Sequence, residues 1–562
     1  MNYKETYQEW LSNPYFDEDT KKELTAIEND ENEIKERFYA DLAFGTAGLR
    51  GIIGAGINRM NIYVVRKATQ GLADYILEQG TDKKRVAIAF DSRHMSPEFA
   101  DEAARTLAAN GIKAFIFESL RPTPELSFAV RYLKCAGGIM ITASHNPKEH
   151  NGYKVYDDTG CQLLPEAADQ VVQYVNEVED ELNIKVFSDE EAYPYMTWIG
   201  EEVDEAYYKE VMAIEVNPGM DKSDFKIVFS PQHGTSNIAV RTCLTRLGYD
   251  LVPVLAQCAP DPDFSNTKSP NPEVPASYEL AIKKAKEVDA DVVVITDPDG
   301  DRLGVVAKHN GEYVLMSGNQ SAAVYLEYIL SQMKEKGTLP DNAVMYNTIV
   351  TSDLGELVAR SYGVDVEKTL TGFKFIGDKI RKYEQTHEKT FVFGYEESYG
   401  CVIKDFVRDK DAVQAVLTAA EAGNFYKKQG KDLVDVLNEL YAKHGTFKET
   451  QIALSKAGAA GAARIKEIMD NLRKDAPQEI GGVKVVKVED YGNSTCSDGT
   501  TIQLPKSNVL KYYLEDGSWI AARPSGTEPK CKFYFSIKGS DADDAASKTE
   551  VFHKAMMEII GE

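Results

Sequence analysis

The sequence predicts an α/β protein in which three similar α/β domains with mixed, mostly parallel sheets are followed by a smaller C-terminal α+β domain. Three observations carry this expectation. One pattern occurs three times: an apolar strand, a polar turn, an amphipathic helix, and a glycine leading into another strand. Beyond residue 446 that pattern gives way to a turn-rich stretch and closely spaced strands. The length of 562 residues exceeds one core, and at about 150 residues per domain it implies about four domains.

The first copy runs from a strand at 86–90 through Asp91-Ser92-Arg93-His94, a helix at 99–109 and Gly111 to a strand at 113–117. The second has a strand at 227–229, a turn from Pro231 to His233, a helix bearing Ala239, Leu244 and Leu247, and Gly248 before a strand at 251–254. The third has a strand at 343–346, a turn at 348–352, a helix bearing Leu354, Leu357 and Val358, and Gly363 before Val364. A glycine just past a helix is the expected left-handed stop, and strands alternating with helices make βαβ units. The last part holds the turn-rich 490–499 and strands at 518–521 and 532–535. The expected domains are 1–208, 209–315, 316–446 and 447–562.

Composition narrows the function. A hydrophobic fraction of 43% with 27% charged residues describes a globular chain and excludes a fibre or a disordered tail. The net charge of −25 argues against a nucleic-acid binder, so any anionic ligand needs local clusters of Arg and Lys. Seven scattered cysteines, none in a Cys-x-x-Cys pair, suit a reducing cytosol better than a disulfide frame or a zinc site. The start is charged and no run approaches the roughly 18 apolar residues of a membrane span. A cytoplasmic protein without a membrane partner is expected, and composition does not distinguish monomer from dimer.

The most informative segment is Thr142-Ala143-Ser144-His145-Asn146-Pro147. The apolar run at 137–141 reads as an interior strand of a parallel sheet, and open α/β sheets bind ligands beyond the carboxyl ends of such strands. Ser144 would stand there, with an imidazole beside it. Pro147 and Asn151-Gly152 break regular structure, so this is a shaped loop; the competing reading is a Ser/Asn turn that only holds its own backbone.

Asp297-Pro298-Asp299-Gly300-Asp301-Arg302 follows a strand at 290–295. Three carboxylates at alternate positions, bent by Pro and Gly, can turn their oxygens onto one hard cation, and without a cation they repel one another. An EF-hand would need glycine where Arg302 stands and glutamate where Lys308 stands, so that reading fails. A solvated acidic turn is the alternative. Arg523-Pro524-Ser525-Gly526-Thr527-Glu528-Pro529-Lys530 gathers a guanidinium, hydroxyls and glycine-exposed amides suited to a phosphate. In Gly394-Tyr395-Glu396-Glu397-Ser398-Tyr399-Gly400, Glu396 and Ser398 at alternate positions can share hydrogen bonds with vicinal hydroxyls.

These four segments, in this order and one to a domain, resemble the loops of the α-D-phosphohexomutase superfamily. The segment 44–51 with Asn58-Arg59-Met60-Asn61, and Thr371-Gly372-Phe373-Lys374, resemble its phosphoglucomutase and phosphopentomutase branch. The resemblance covers nearly the whole chain and implies four domains around a central cleft. It implies that Ser144 carries a transferable phosphoryl group, that Mg²⁺ is held by Asp297, Asp299 and Asp301 and by the phosphoryl group on Ser144, and that glucose 1,6-bisphosphate is the intermediate and activator. The implied reaction interconverts α-D-glucose 1-phosphate and D-glucose 6-phosphate, with pentose phosphates or a serine-dependent phosphatase as alternatives. The resemblance sets Arg50 and Lys154 beside the reacting phosphate, with Lys154 or His145 as candidates for proton transfer; a lysine base needs its pKa lowered. It assigns sugar hydroxyls to Glu396 and Ser398, and substrate contacts to Arg302, Thr371, Gly372, Lys374, Arg408 and Lys410. The distal phosphate falls to Arg523, Ser525, Gly526, Thr527 and Lys530. His233 reads as structural.

Overall fold

The structure is a computed structural model that describes residues 2–45, 48–178, 181–456, 458–525 and 529–562. The chain packs into two compact units. The first comprises Met1–Met316, Phe373–Phe393 and Tyr399–Gln429, and the second Ser317–Gly372, Gly394–Ser398 and Gly430–Glu562. This division runs through the segment 316–446, which contributes to both.

The first unit opens with helices Tyr3–Ser12, Glu18–Ala26 and Glu31–Phe38. Asn2, Asp17 and Asp30 cap them by accepting backbone N–H bonds. Tyr7, Trp10, Phe16, Leu24, Ile34 and Phe38 form a separate small core against Tyr63. Sequence periodicity did not isolate this element, because its helices are short and highly charged.

Two sheets follow. In the first, Gly137–Ile141 lies between Arg85–Phe90, to which it is parallel, and His150–Asp157, to which it is antiparallel. Lys113–Phe117 and Met196–Ile199 extend the parallel side, and Leu49–Ile52 pairs antiparallel with His150–Asp157. In the second, Lys226–Ser230 is parallel to Asp250–Pro253 and Val292–Thr296, and Leu303–His309 returns antiparallel to Val292–Thr296. Both sheets are thus mixed. The strands Gly137–Ile141 and Val292–Thr296 are buried throughout, which explains their unbroken apolar reading.

The mixed character sets the site. Residues 142–149 and 297–302 are both loops of antiparallel hairpins, and the first is the shaped loop that Pro147 and Asn151-Gly152 led one to expect. In the second unit, Ala343–Thr348 is parallel to Asp365–Thr369, with helices Gly318–Glu335 and Asp353–Ser361 beside it. A seven-stranded antiparallel sheet and helices Gly458–Lys474 and Ala542–Ile560 complete that unit, as an α+β domain should. Among the described residues no helix is long and apolar enough to cross a membrane.

Candidate active site

The serine loop is shaped by close backbone approaches. A side chain at Gly152 would stand 2.5 Å from the Thr142 carbonyl oxygen and 2.7 Å from that of Leu49, so only glycine fits between these strands. Ser144 has φ of +52°, a left-handed conformation costing an L residue about 1–2 kcal/mol. Its N–H donates to Thr142 Oγ1 at 2.8 Å. This turn buries the serine and aims its hydroxyl inward; Oγ donates to Asp297 Oδ2 at 2.9 Å and lies 3.2 Å from His145 Nδ1.

The acidic loop is equally constrained. Gly300, at φ of +70°, lets the chain reverse, and its N–H reaches back to the Asp297 carbonyl at 3.0 Å. Asp297 Oδ1 accepts the N–H groups of Asp301 and Arg302 at 3.1 and 3.0 Å, which leaves its other oxygen for Ser144. Asp299 Oδ2 accepts from Thr123 Oγ1 at 3.0 Å and Lys154 Nζ at 2.8 Å. Lys410 Nζ stands 3.2 Å from Asp301 Oδ2.

All three carboxylates are buried, and ligand oxygens from each lie within 4.8 Å of one another. Asp299 Oδ1 and Asp301 Oδ1 are buried without a hydrogen-bond partner among the described residues. Buried polar oxygens normally find partners, so two orphaned carboxylate oxygens in a cluster of three buried aspartates are of the donor type that suits a hard divalent cation. Burial, with Asp299 and Asp301 alongside, pushes Asp297 well above the carboxylate range. Burial acts on Asp299 too, but Lys154 overcomes it and holds that group low. The oxygen set fits Mg²⁺.

Lys154 behaves differently from a free base. Burial alone would lower its pKa, yet Asp299 and Asp301 outweigh burial and raise it, so the side chain is a fixed cation. His145 is the reverse: burial, then Arg302 and Arg50, drive its pKa well below 6.5, leaving a neutral imidazole beside the hydroxyl. Arg50 reaches the same loop, with Nη1 3.5 Å from Asn146 Oδ1. Arg302 bonds Glu273 at 2.8 Å. Lys374 is buried, and burial lowers its pKa to about 8.

The Arg408 guanidinium bonds Glu384 and the carbonyls of Asp405 and Val407, so it ties its own loop to the helix Phe373–Thr386. His233 bonds the Ala259 carbonyl at 2.8 Å and accepts the Asn266 N–H, a structural role as expected.

Thr371, Gly372, Glu396, Ser398, Arg523, Ser525 and Lys530 belong to the second unit. Glu396 is buried at the end of a strand, and the adjacent Glu397 accepts from Thr348 and Thr351 at 3.0 and 3.1 Å. Arg523 lies on the strand Trp519–Pro524 and donates to Tyr534 at 3.4 Å, while Ser525 N–H bonds the Lys530 carbonyl at 2.7 Å. Gly526 and Thr527 lie outside the described residues. Thr123, Asp409 and Arg93 contact the site without having been singled out in the sequence. Thr123 follows only an unremarkable Arg121-Pro122, and Asp409, which accepts from Tyr156 at 2.8 Å, carries no motif.

Residues 41–182, 205–311 and 317–444 match the three α/β/α domains of the phosphoglucomutase/phosphomannomutase family, and 463–554 its C-terminal domain. The chain belongs to this family. A phosphoglucomutase of Staphylococcus epidermidis is 40% identical over 92% of this chain and 94% of its own length. One of Staphylococcus aureus is 39% identical over 92% and 93%. Two solved structures share the fold. The phosphoglucomutase parafusin of Paramecium, in an open form, has a TM-score of 0.69 at 19% identity, covering 93% of this chain and 96% of that one. A phosphoglucomutase/phosphomannomutase family protein of Burkholderia thailandensis has a TM-score of 0.67 at 20% identity, covering 91% and 96%. Phosphoglucomutase/phosphomannomutase membership makes the chain a phosphohexomutase, an intramolecular phosphotransferase.

Proposed function

We propose that the chain interconverts α-D-glucose 1-phosphate and D-glucose 6-phosphate through a phosphoserine at residue 144 and a glucose 1,6-bisphosphate intermediate. The observation that carries this is the buried Ser144 hydroxyl at 2.9 Å from Asp297, whose cluster of three buried aspartates holds two orphaned carboxylate oxygens. In the forward half-reaction a sugar hydroxyl attacks the phosphorus of phosphoserine, its O–P bond forms as the Ser144 Oγ–P bond breaks, and the sugar proton passes to a base. The bisphosphate then returns its other phosphoryl group to Ser144 as a P–O bond to the sugar breaks.

Asp297, Asp299 and Asp301, with a phosphoryl oxygen on Ser144, would hold Mg²⁺. When bound, the ion supplies neutralisation of charge on the transferring group. Around it the chain's own residues act. Lys154 and Lys410, fixed on the carboxylates, offset negative charge, and the neutral His145 is placed to exchange the seryl proton. Lys374, whose charge burial makes costly, gains by meeting a sugar phosphate. Glu396 and Ser398 are assigned to sugar hydroxyls, and Arg523, Ser525 and Lys530, with Gly526 and Thr527, to the distal phosphate. The substrates are small sugar phosphates. A reducing cytoplasm is the assigned compartment, in keeping with seven unpaired cysteines.

The test is kcat/KM for glucose 1-phosphate against ribose 1-phosphate in the presence of Mg²⁺ and glucose 1,6-bisphosphate. A higher value for the hexose is expected. A higher value for the pentose would make the chain a phosphopentomutase, and steady release of inorganic phosphate would make it a phosphatase.

A further inference from the structure

Under the serine loop lies a guanidinium that the roles above leave unused. The side chains of Arg93 and Asp91 are wholly buried and ion-paired, with Nε 3.2 Å from Oδ2. Arg93 Nη2 donates to the carbonyls of Ser144 and Asn146, both at 2.6 Å, and Nη1 donates to those of Pro147 and His150 at 2.8 and 3.1 Å. The Phe264 ring covers the guanidinium at 5.1 Å. Asp91 is itself fixed, since its Oδ1 accepts the Arg93 N–H at 2.9 Å and the Ser96 hydroxyl at 2.8 Å. Asn151 ties the far end of the loop to the same group by donating to Ser96 Oγ and the His94 carbonyl, each at 2.9 Å.

We propose that Arg93 is a positioning residue for phosphoryl transfer at Ser144: it draws three carbonyls of the serine loop and that of His150, where the next strand begins, onto one planar fork and so fixes the left-handed turn that aims the hydroxyl at the acidic loop. The inference rests on the phosphoserine reading. Four carbonyl dipoles converging on one point repel one another, and the cation at their centre reverses that balance. Without it the peptide planes rotate apart and Ser144 relaxes toward negative φ, where its side chain no longer faces Asp297. Every Arg93 contact with the loop is to backbone, so the residue acts on the reaction only through where Ser144 stands. Lysine cannot replace it: an ammonium presents three donors from one point, whereas these carbonyls lie in pairs on two separate nitrogens of a rigid plane.

The experiment compares full-length wild type, Arg93→Lys and Arg66→Lys. Arg66 also pairs with a buried carboxylate, Glu102 at 2.6 Å, but outside the site, and serves as the control for loss of a buried arginine. The measurements are kcat and KM for glucose 1-phosphate, Tm, and the single-turnover rate at which glucose 1,6-bisphosphate phosphorylates Ser144. Arg93→Lys is expected to lower kcat and the phosphorylation rate by about 100-fold. Its KM should stay within about twofold of wild type, the signature of an interaction that acts on the reacting centre and not on sugar binding. Arg66→Lys should lose Tm but keep kcat. Phosphorylation of Arg93→Lys at the wild-type rate, or a rise in KM with kcat unchanged, would overturn the role. Should Arg93→Lys not fold, Asp91→Asn is read the same way: slower phosphorylation at unchanged KM supports the role, and a wild-type rate overturns it. A wild-type chain that takes no phosphoryl group on Ser144 would instead overturn the phosphoserine reading, and this inference with it.

Discussion

Replacing Lys511 by methionine should stabilise the second unit in acid and abolish part of its pH dependence. Lys511 lies on the strand Leu510–Leu514, opposite Ala521 on the strand that carries Arg523, so its environment bears on a residue proposed to hold the distal phosphate. It is wholly buried; Nζ donates to the Ile349 carbonyl at 2.7 Å and stands over the Trp519 and Tyr513 rings at 3.8 and 4.8 Å. Burial, reinforced by Lys368, pulls its pKa from 10.5 down to about 7, against the attraction of Asp353 and Glu489. A lysine whose folded pKa is depressed costs stability in full below about pH 7, and the cost fades as pH rises toward 10.5. The full cost is about 5 kcal/mol, and about 3 kcal/mol of it is relieved between pH 6 and pH 9. Lys511→Met keeps the aliphatic stem but forfeits the Ile349 bond and the ring attraction, about 3 kcal/mol together. The variant should therefore gain about 2 kcal/mol at pH 6. Urea unfolding followed by Trp519 emission, with Trp10 and Trp198 replaced by Phe in both proteins, measures the difference at pH 6 and pH 9. Everything common to the two proteins cancels, and the effect of the substitution should change by about 3 kcal/mol between the two pH values. An effect of equal size at both values would show that the ammonium keeps its charge in the folded chain, and the reasoning from burial would fail.

Other outcomes follow from the same structure. Chelation should abolish turnover and Mg²⁺ restore it; Asp299→Asn should raise the Mg²⁺ concentration for half-maximal activity by tenfold or more, on the order of one lost charged ligand. In the free protein Lys374 is charged below about pH 8 and neutral above it, so KM for glucose 1-phosphate should rise as pH climbs through that value. Lys374→Met should show a high KM across pH 7–9 without that rise. Trp10 stacks on Phe16 at 4.2 Å in the N-terminal core, and Trp10→Ala should cost about 3–5 kcal/mol in unfolding of the first unit.

The serine and acidic loops were legible because each gathers its chemistry into consecutive residues, and a hairpin loop keeps sequence neighbours together in space. The three repeats were legible for a similar reason, since a buried strand and its helix each write a local pattern. What escaped was determined by partners remote in sequence. Arg408 is drawn to Glu384, and nothing near it in the chain marks that pairing. The raised pKa of Lys154 comes from Asp299, 145 residues away; the resemblance offers this lysine beside His145 as a candidate for proton transfer, while its surroundings make a cation. Toward the serine loop Arg93 speaks only to backbone carbonyls, which every residue possesses, and so leaves no signature there. The N-terminal helices hide their apolar face among charges, and their core is recognisable only once Trp10, Phe16 and Tyr63 are brought together.

The claim on which the account depends is that Ser144 itself carries the phosphoryl group in transit. Protein incubated with glucose 1,6-bisphosphate, freed of ligand and examined by intact mass and peptide mapping should carry one phosphoryl group, on the peptide holding Ser144. Addition of glucose 1-phosphate should remove that group and yield an equal amount of glucose 1,6-bisphosphate. A protein that turns over glucose 1-phosphate at full rate with Ser144 unmodified, or as Ser144→Ala, would contradict it.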